Sequence, residues 1–454
     1  MKTDIACVRF GNVHVIPIVS PIISQEVLRK MDATFASRPT SFATKVFSRG
    51  YKTVILSPFG DQWKKMKKIL VSEIICPKRH HFFHDKRIKE ADHLLRYVYN
   101  KAKSSEPVNL RDVTRHYCGN LIRNLMFNKR YFGEPTHDGG PGPDEIEHVN
   151  ATLNSLAYLY AFSISDYFPW LIGLNLDGHE TIIKATSETF KKFHDPIVDE
   201  RVRLHRESEE HGVQQDPQDF LDIMIMLRDQ DGPLLTPEEI KALSDEMMIA
   251  SVENPSNAVE WILAEMMKNP AILQKAVEEI DHIVGKERLV READIPHLNY
   301  LKACIREAFR LHPFDPFNPP HVAMEDTSVG GYFIPKGSHV LLSRLGLGRN
   351  PDVWHEPLEF KPERHLDGGR SELVLAQPDM RFITFSAGRR GCIAQTLGTA
   401  MTVMLLARLL QGFSWSMSHN LSLIDLVESD KSLCLAKPLV LQAEPRLPFY
   451  MYPA

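Results

Sequence analysis

The residues with the clearest chemical potential lie near the C-terminus, in the run Phe385-Ser-Ala-Gly388-Arg-Arg390-Gly-Cys392-Ile-Ala394. The apolar stretch from Ile393 to Gln411 that follows reads as a helix. A cysteine at a helix N-terminus meets the positive end of the dipole and unpaired backbone N–H groups, and both stabilise a thiolate. Such a thiolate is suited to bind a metal. Gly388 and Gly391 let the backbone approach the sulfur, so that hydrogen bonds tune it, and Phe385 is placed to shield it from water. A lone cysteine in a Gly-rich turn reads first as a small buried structural residue; the glycines, arginines and aromatic around Cys392 reverse that reading. Two other groups carry charge at fixed spacing. Glu307-Ala-Phe-Arg310 puts acid and base on one helix face ahead of Pro313, alone a solvated pair, and Pro362-Glu-Arg364-His365 lies downstream. Upstream, Ala250-Ser-Val-Glu253-Asn254-Pro255-Ser256-Asn257 interrupts a helical pattern. Pro255 lacks an N–H and crowds the carbonyl of Ser251, so the helix kinks and frees an acceptor. Glu253 and Asn254 then either serve chemistry in the opened groove or merely cap the kink.

Long elements must hold these groups. Thr236 caps a helix, Pro237 fills its first turn and Glu239 closes a capping box, and the pattern runs to Lys268 before Asn269-Pro270. That predicts one helix of roughly 48 Å, enough to cross the molecule. From about Asp61 to Pro270 most segments read as helical, with loops at GGPGPD (139–144) and ESEEHGVQQDP (207–217). At the start, VRFGNVHVIPIVSP reads as a hairpin around Phe10-Gly11-Asn12, and EVLRKMDATFASRP as a short helix stopped by Pro39. Beyond residue 310, short strands such as those in GGYFIPKGSHVLLS dominate, then the last helix and a strand-rich tail. The fold class is mainly α with small β-sheets. The 454 residues, 43% hydrophobic and 25% charged with a net charge of -4, describe a globular protein and argue against disorder and a nucleic-acid partner. Six cysteines without a CxxC pair argue against zinc and a disulfide framework. His80, His81 and His84 have no second ligand group nearby in sequence and read as a polar surface turn. No run of 18 apolar residues occurs, and the N-terminus has no signal-peptide layout.

With these motifs the chain resembles the cytochrome P450 superfamily from its first hairpin to its tail. The resemblance implies the cytochrome P450 fold as one catalytic domain over 1–454, β-rich at about 1–60 and 312–380 and helical at about 61–311 and 393–411. It implies haem b (iron protoporphyrin IX) with Cys392 as the axial iron ligand, whose thiolate favours O–O cleavage. Arg390, Trp63, Lys67 and His321 fall where the family contacts the haem propionates. Glu307 and Arg310 fall where the family locks to an arginine matching Arg364, fixing the loop before the cysteine. Three positions depart from the pattern. Ala394 stands for the usual glycine, Lys67 for the more common arginine, which loses a bidentate fork, and Asn254 for the threonine that helps deliver protons. Glu253 matches the family acid. In the family an anchor and a Pro-rich hinge precede the first hairpin; this chain begins almost at that hairpin.

The run Asn254-Pro-Ser-Asn-Ala-Val-Glu-Trp261, with Pro-Glu-Arg-His365, resembles the plant amino-acid N-monooxygenases that form aldoximes for glucosinolates and cyanogenic glucosides. By that resemblance the reaction is two N-hydroxylations of one L-amino acid, then loss of water and CO2. It consumes O2 and electrons from NADPH, passed by NADPH-cytochrome P450 reductase at the cytosolic face of the endoplasmic reticulum membrane. Lys64, Lys65, Lys67, Lys68, Arg389 and Arg390 form either a basic face for that reductase or a solvated charge run. Arg49 is either a partner for the substrate carboxylate or a surface residue. Phe42, Phe47, Phe314 and Phe317 either line an apolar pocket or anchor loops. The rival readings are a related enzyme of another small specialised metabolite, a non-oxygenating isomerase or dehydratase suggested by the missing threonine, and an inactive haem-binding scaffold.

Overall fold

The computed structural model describes residues 3–212, 216–230, 232–366, 372–417, 424–429 and 432–453. Two strands open the chain, β1 (Val8–Phe10) and β2 (Val13–Ile18), joined at Gly11, whose φ of 55° suits glycine and where a Cβ would stand 2.8 Å from the carbonyl oxygen of Tyr167. The short helix expected over 26–38 instead occupies Pro21–Gln25 and a wider turn, Glu26–Lys30. Pro21 at the first helical position starts it early, because proline costs nothing where no N–H is needed. Helices follow in order: α1 (Asp61–Ile69), α2 (His84–Lys103), α3 (Leu110–Phe127), α4 (Pro143–Leu159) and α5 (His179–Glu210). The loop expected over 207–217 therefore begins inside α5, and part of it, 213–215, lies outside the described residues.

The predicted long helix is two helices, α6 (Pro237–Ser251) and α7 (Glu253–Lys268), interrupted at Val252. Its start is as the sequence predicts: Thr236 Oγ1 accepts from Glu239 N at 3.3 Å and Glu239 Oε2 accepts from Thr236 N at 2.9 Å. The break lies one turn before Pro255, whose missing N–H deprives the Ser251 carbonyl of its helical donor, and side chains bond the carbonyls on either side of Ser251. Asn254 Nδ2 donates to the carbonyl of Ala250 at 3.3 Å, and Ser256 Oγ donates to that of Val252. Next come α8 (Asn299–Leu311), the strands β3 (His321–Val322) and β4 (His339–Leu342), and the last helix α9 (Gln395–Gly412). The first sheet runs in the order β1-β2-β4-β3, with β2 and β4 parallel and the other pairs antiparallel, so strands more than 300 residues apart in the chain share one sheet. In the tail, β5 (Phe413–Met417) pairs antiparallel with β6 (Val440–Pro445); residues 418–423 and 430–431 between them lie outside the described residues. The main apolar core is built from α2, α3, α6, α7, α8 and α9, and Trp261, Leu263, Leu301, Ile305 and Leu406 within it are fully buried. This core fixes α7 against α9, and the cavity described below opens between them.

Candidate active site

Cys392 lies at the end of a tight loop directly before α9. Its N–H donates to the carbonyl of Phe385 at 2.8 Å, closing the loop on itself. Gly388 in that loop has φ 70°, and a Cβ there would stand 2.1 Å from the carbonyl oxygen of Leu28, so no other residue fits. Burial pushes the Cys392 thiol up, while the Ala394 backbone N–H and the charge of Arg344 pull it back toward the thiolate. Cys392 is exposed and lines a cavity walled by Ala250, Ser251, Asn254, Pro255, Asn257 and Ala258 on one side and by Phe385, Ser386 and residues 389–394 on the other. Phe385 meets Phe309 edge to face at 5.8 Å, and both line this cavity.

One end of the cavity concentrates positive charge. Arg390 is buried, lies 4.4 Å over the Trp63 ring, and donates to the carbonyls of Val54 at 2.9 Å and Ser57 at 2.7 Å and to that of Ala36. Burial, then the like charge of Arg38, lowers its pKa to about 9. His321 is pushed down to about 3, first by burial and then by Arg38 and Arg390; its Nδ1 bonds the carbonyl of Phe35 at 2.8 Å. Lys67, lowered by burial and by Arg390 and Arg389, donates to the carbonyl of Arg389, and Trp63 Nε1 donates to that of Val54 at 3.1 Å. Arg38, which the sequence reading passed over, holds the carbonyls of Pro319 at 2.7 Å and Pro320 at 2.9 Å. Glu246, which also lines the cavity, accepts from the backbone N–H groups of Val54 and Ile55 at 2.9 and 2.6 Å. Among the described residues, no carboxylate reaches ion-pair distance of Arg38, Lys67 or Arg390. The wall thus suits an anionic group. Several buried polar atoms of lining residues also lack a partner: His321 Nε2, both amide atoms of Asn257, Asn318 Nδ2, Thr384 Oγ1 and Ser386 Oγ. A thiolate candidate, apolar walls and an unneutralised cationic end together fit a haem with its two carboxylates.

A charge knot joins α8 to the turn at 361–365. Glu307 accepts from Arg310 at 2.7 and 2.8 Å, from Arg364 at 2.9 Å, from Lys361 N at 2.9 Å, and bonds His365 Nε2 at 2.8 Å. Arg310, fully buried, also donates to the carbonyls of Gly348 at 2.5 Å and Pro357 at 2.7 Å. The knot is not the solvated pair that Glu307 and Arg310 make when read alone. His365 is its unforeseen member, present in the Pro-Glu-Arg-His run but not read as a partner.

Other expected site residues sit elsewhere. Glu253 is turned from the cavity and clamped by Arg115 of α3, at 2.8 and 2.6 Å, with Cys434 Sγ at 3.4 Å. Only Asn254 of that pair lines the cavity. Arg49 is neither exposed nor free, since it pairs with Asp195 at 2.7 Å and with Asp245 at 2.6 Å and carries φ 49°. Of the four phenylalanines, Phe314 lines the cavity, Phe42 and Phe47 pack with Leu56 and Ile183, and Phe317 faces outward. The basic face loses Arg390 and Lys67 to the cavity and Lys65 to Glu239 at 2.8 Å; Lys64, Lys68 and Arg389 stay exposed, Lys64 beside Asp61 at 3.0 Å and Arg389 at the cavity rim beside Asp32 at 3.4 Å. His80 and His84 approach Glu292, at 3.7 and 3.1 Å, but Arg87 holds the same carboxylate at 2.6 and 2.8 Å, and among the described residues no metal-binding cluster occurs.

Comparisons with known proteins agree with this geometry. The chain is 59% identical over its full length to the tyrosine N-monooxygenase of Sorghum bicolor, covering 82% of that protein. It is 54% identical to tryptophan N-monooxygenase 1 of Arabidopsis thaliana and 53% to valine N-monooxygenase 1 of Manihot esculenta, over all of this chain and 83% of each. A zebrafish cytochrome P450 solved with progesterone has the same fold, with a TM-score of 0.79 at 22% identity over 97% of this chain and 96% of that one. The family described as Cytochrome P450 matches residues 2–443, and the chain with its Cys392 loop, charge knot and cavity belongs to that family.

Proposed function

We propose that this P450 is an amino-acid N-monooxygenase, which hydroxylates the nitrogen of an L-amino acid twice and yields the aldoxime with loss of CO2 and water. The observation that carries the reading is identity of 53 to 59% along the whole chain to enzymes named for N-oxygenation of tyrosine, tryptophan and valine. Those relatives share a reaction and differ in the side chain they accept, so the common property is chemistry at the amino-acid nitrogen. Members of the family carry haem b, which activates O2 with electrons delivered by a redox partner. NADPH-cytochrome P450 reductase is that partner in this reading, and Lys64, Lys68 and Arg389 are the surface cations left to meet it. The endoplasmic reticulum membrane is the proposed location; among the described residues no helix is long and apolar enough to cross a membrane.

In this reading Cys392 would ligate the iron, and the Ala394 N–H favours its thiolate against the effect of burial. Phe385 excludes water from that side. Arg390, Lys67, Trp63 and His321 take the propionates, and Glu307, Arg310 and Arg364 hold the loop that positions Cys392. On the opposite wall, Asn254 satisfies the carbonyl of Ala250 with its Nδ2 and offers its Oδ1 to a proton-carrying water. Glu253, held by Arg115, acts on that wall only through its field. The test is reconstitution with haem, reductase and NADPH, each of the twenty L-amino acids in turn, and mass spectrometry of the products. No aldoxime from any of them sinks the proposal. Turnover without NADPH would point instead to the isomerase or dehydratase reading that Asn254, in place of threonine, leaves open.

A further inference from the structure

Arg344 stands just past β4, where Ser343 Oγ caps the short helix Arg344–Gly348 by accepting from Gly346 N at 2.9 Å. Arg344 lines the cavity. Nε donates to Asn318 Oδ1 at 2.5 Å and Nη2 to the carbonyl of Thr384 at 3.3 Å, and both acceptors are neutral. Among the described residues no carboxylate lies within ion-pair distance. The nearest charges, Asp315 and Cys392, act only through space, and burial lowers the pKa of Arg344 because nothing neutralises it in contact. A half-buried guanidinium facing a cavity with only neutral partners is well placed to receive an anion from a ligand. Around it stand more unsatisfied groups: Asn318 Nδ2, Thr384 Oγ1 and Ser386 Oγ, all on lining residues. A planar fork flanked by an amide N–H and two hydroxyls matches the two oxygens of a carboxylate. The acceptors of Arg344, on Asn318 and Thr384, are not shared with Arg38 and Arg390, which bond the carbonyls of residues 36, 54, 55, 57, 319 and 320.

We propose that Arg344, with Asn318 and Thr384, is a second carboxylate seat of the cavity. Its source is the α-carboxylate of the substrate, in which case it rests on the amino-acid reading above, or a haem propionate. The experiment uses the haem-loaded enzyme with Arg344→Gln and, as the charge-keeping control, Arg344→Lys. Haem content, haem reduction potential and spectral titrations are measured, with L-tyrosine, L-tryptophan and L-valine as probes and tyramine, tryptamine and isobutylamine as their carboxyl-free counterparts. If the seat takes the substrate, Arg344→Gln weakens amino-acid binding by about tenfold or more and leaves amine binding and haem content unchanged. If it takes a propionate, haem content falls and the potential shifts, while amino acids and amines weaken alike. Arg344→Lys retains part of either effect. Should Arg344→Gln not fold, the Lys variant and the amino-acid to amine preference of the unmodified enzyme decide. Unchanged titrations, haem content and potential in a folded variant overturn the proposal. Absence of any amino-acid binding by the unmodified enzyme sinks the amino-acid reading alone and leaves the propionate arm standing.

Discussion

Replacing Glu307 by glutamine tests the charge knot that joins α8 to the turn at 361–365. Burial by itself would raise the Glu307 carboxyl, but hydrogen bonds from Arg310 and His365, and their charges, bring it to about 2 against an ordinary 4.5. That gap is worth roughly 3 kcal/mol of preference for the charged, folded form. The folded pKa is depressed, so the contribution is complete above the unfolded value and is lost as pH falls from about 4.5 toward 2. Glutamine keeps the shape, removes the charge, and leaves Arg310 fully buried without its counter-ion, a change that costs about 3 to 5 kcal/mol. We expect Glu307→Gln to lower the urea-unfolding free energy of the haem-loaded protein by that amount at neutral pH, followed by the Soret band and far-ultraviolet circular dichroism. The difference from the parent should narrow in acid, because only the parent has that carboxylate to protonate. A variant within about 1 kcal/mol of the parent at neutral pH, or a difference that does not shrink in acid, would refute the reasoning.

Cys392→Ser should abolish the thiolate-type Soret band of the reduced CO complex while helical content stays unchanged, because only the axial atom differs. Gly388→Ala places a Cβ 2.1 Å from the carbonyl of Leu28 at φ 70°; it should cost more than the roughly 1 to 2 kcal/mol of a left-handed residue alone and lower haem retention during purification. Arg49→Gln removes the cation that Asp195 and Asp245 share, leaving Asp195 with Lys241 at 4.0 Å and Asp245 with His194 at 2.7 Å. Thermal stability should drop by several degrees while the dissociation constant of an amino acid that binds stays within about twofold; a selective loss of affinity would restore Arg49 as a substrate contact. Glu253→Ala strands Arg115 and should cost about 3 kcal/mol or more in unfolding experiments, a larger effect than on ligand affinity.

What the sequence determined by itself was local in range. The capping box at Thr236, the hairpin at Gly11, the turn before α9 and the break set by Pro255 each depend on neighbours within about four residues, and those rules are carried by residue type. The Cys392 run was legible for the same reason, since its glycines, aromatic and arginine act on one sulfur over one short loop. Only the tertiary structure decided which distant charges meet. Nothing near Glu253 in the chain announces Arg115, nothing near Arg49 announces Asp195 and Asp245, and the partners of Glu307 include a histidine beyond Arg364. A buried charge must be neutralised by whichever element the packing brings beside it, and spacing along one strand of sequence does not encode that choice. The same packing turned Glu253 away from the cavity and left Arg344 and Asn257 facing it, so the residues nearest the chemistry were chosen by the fold as much as by the motifs.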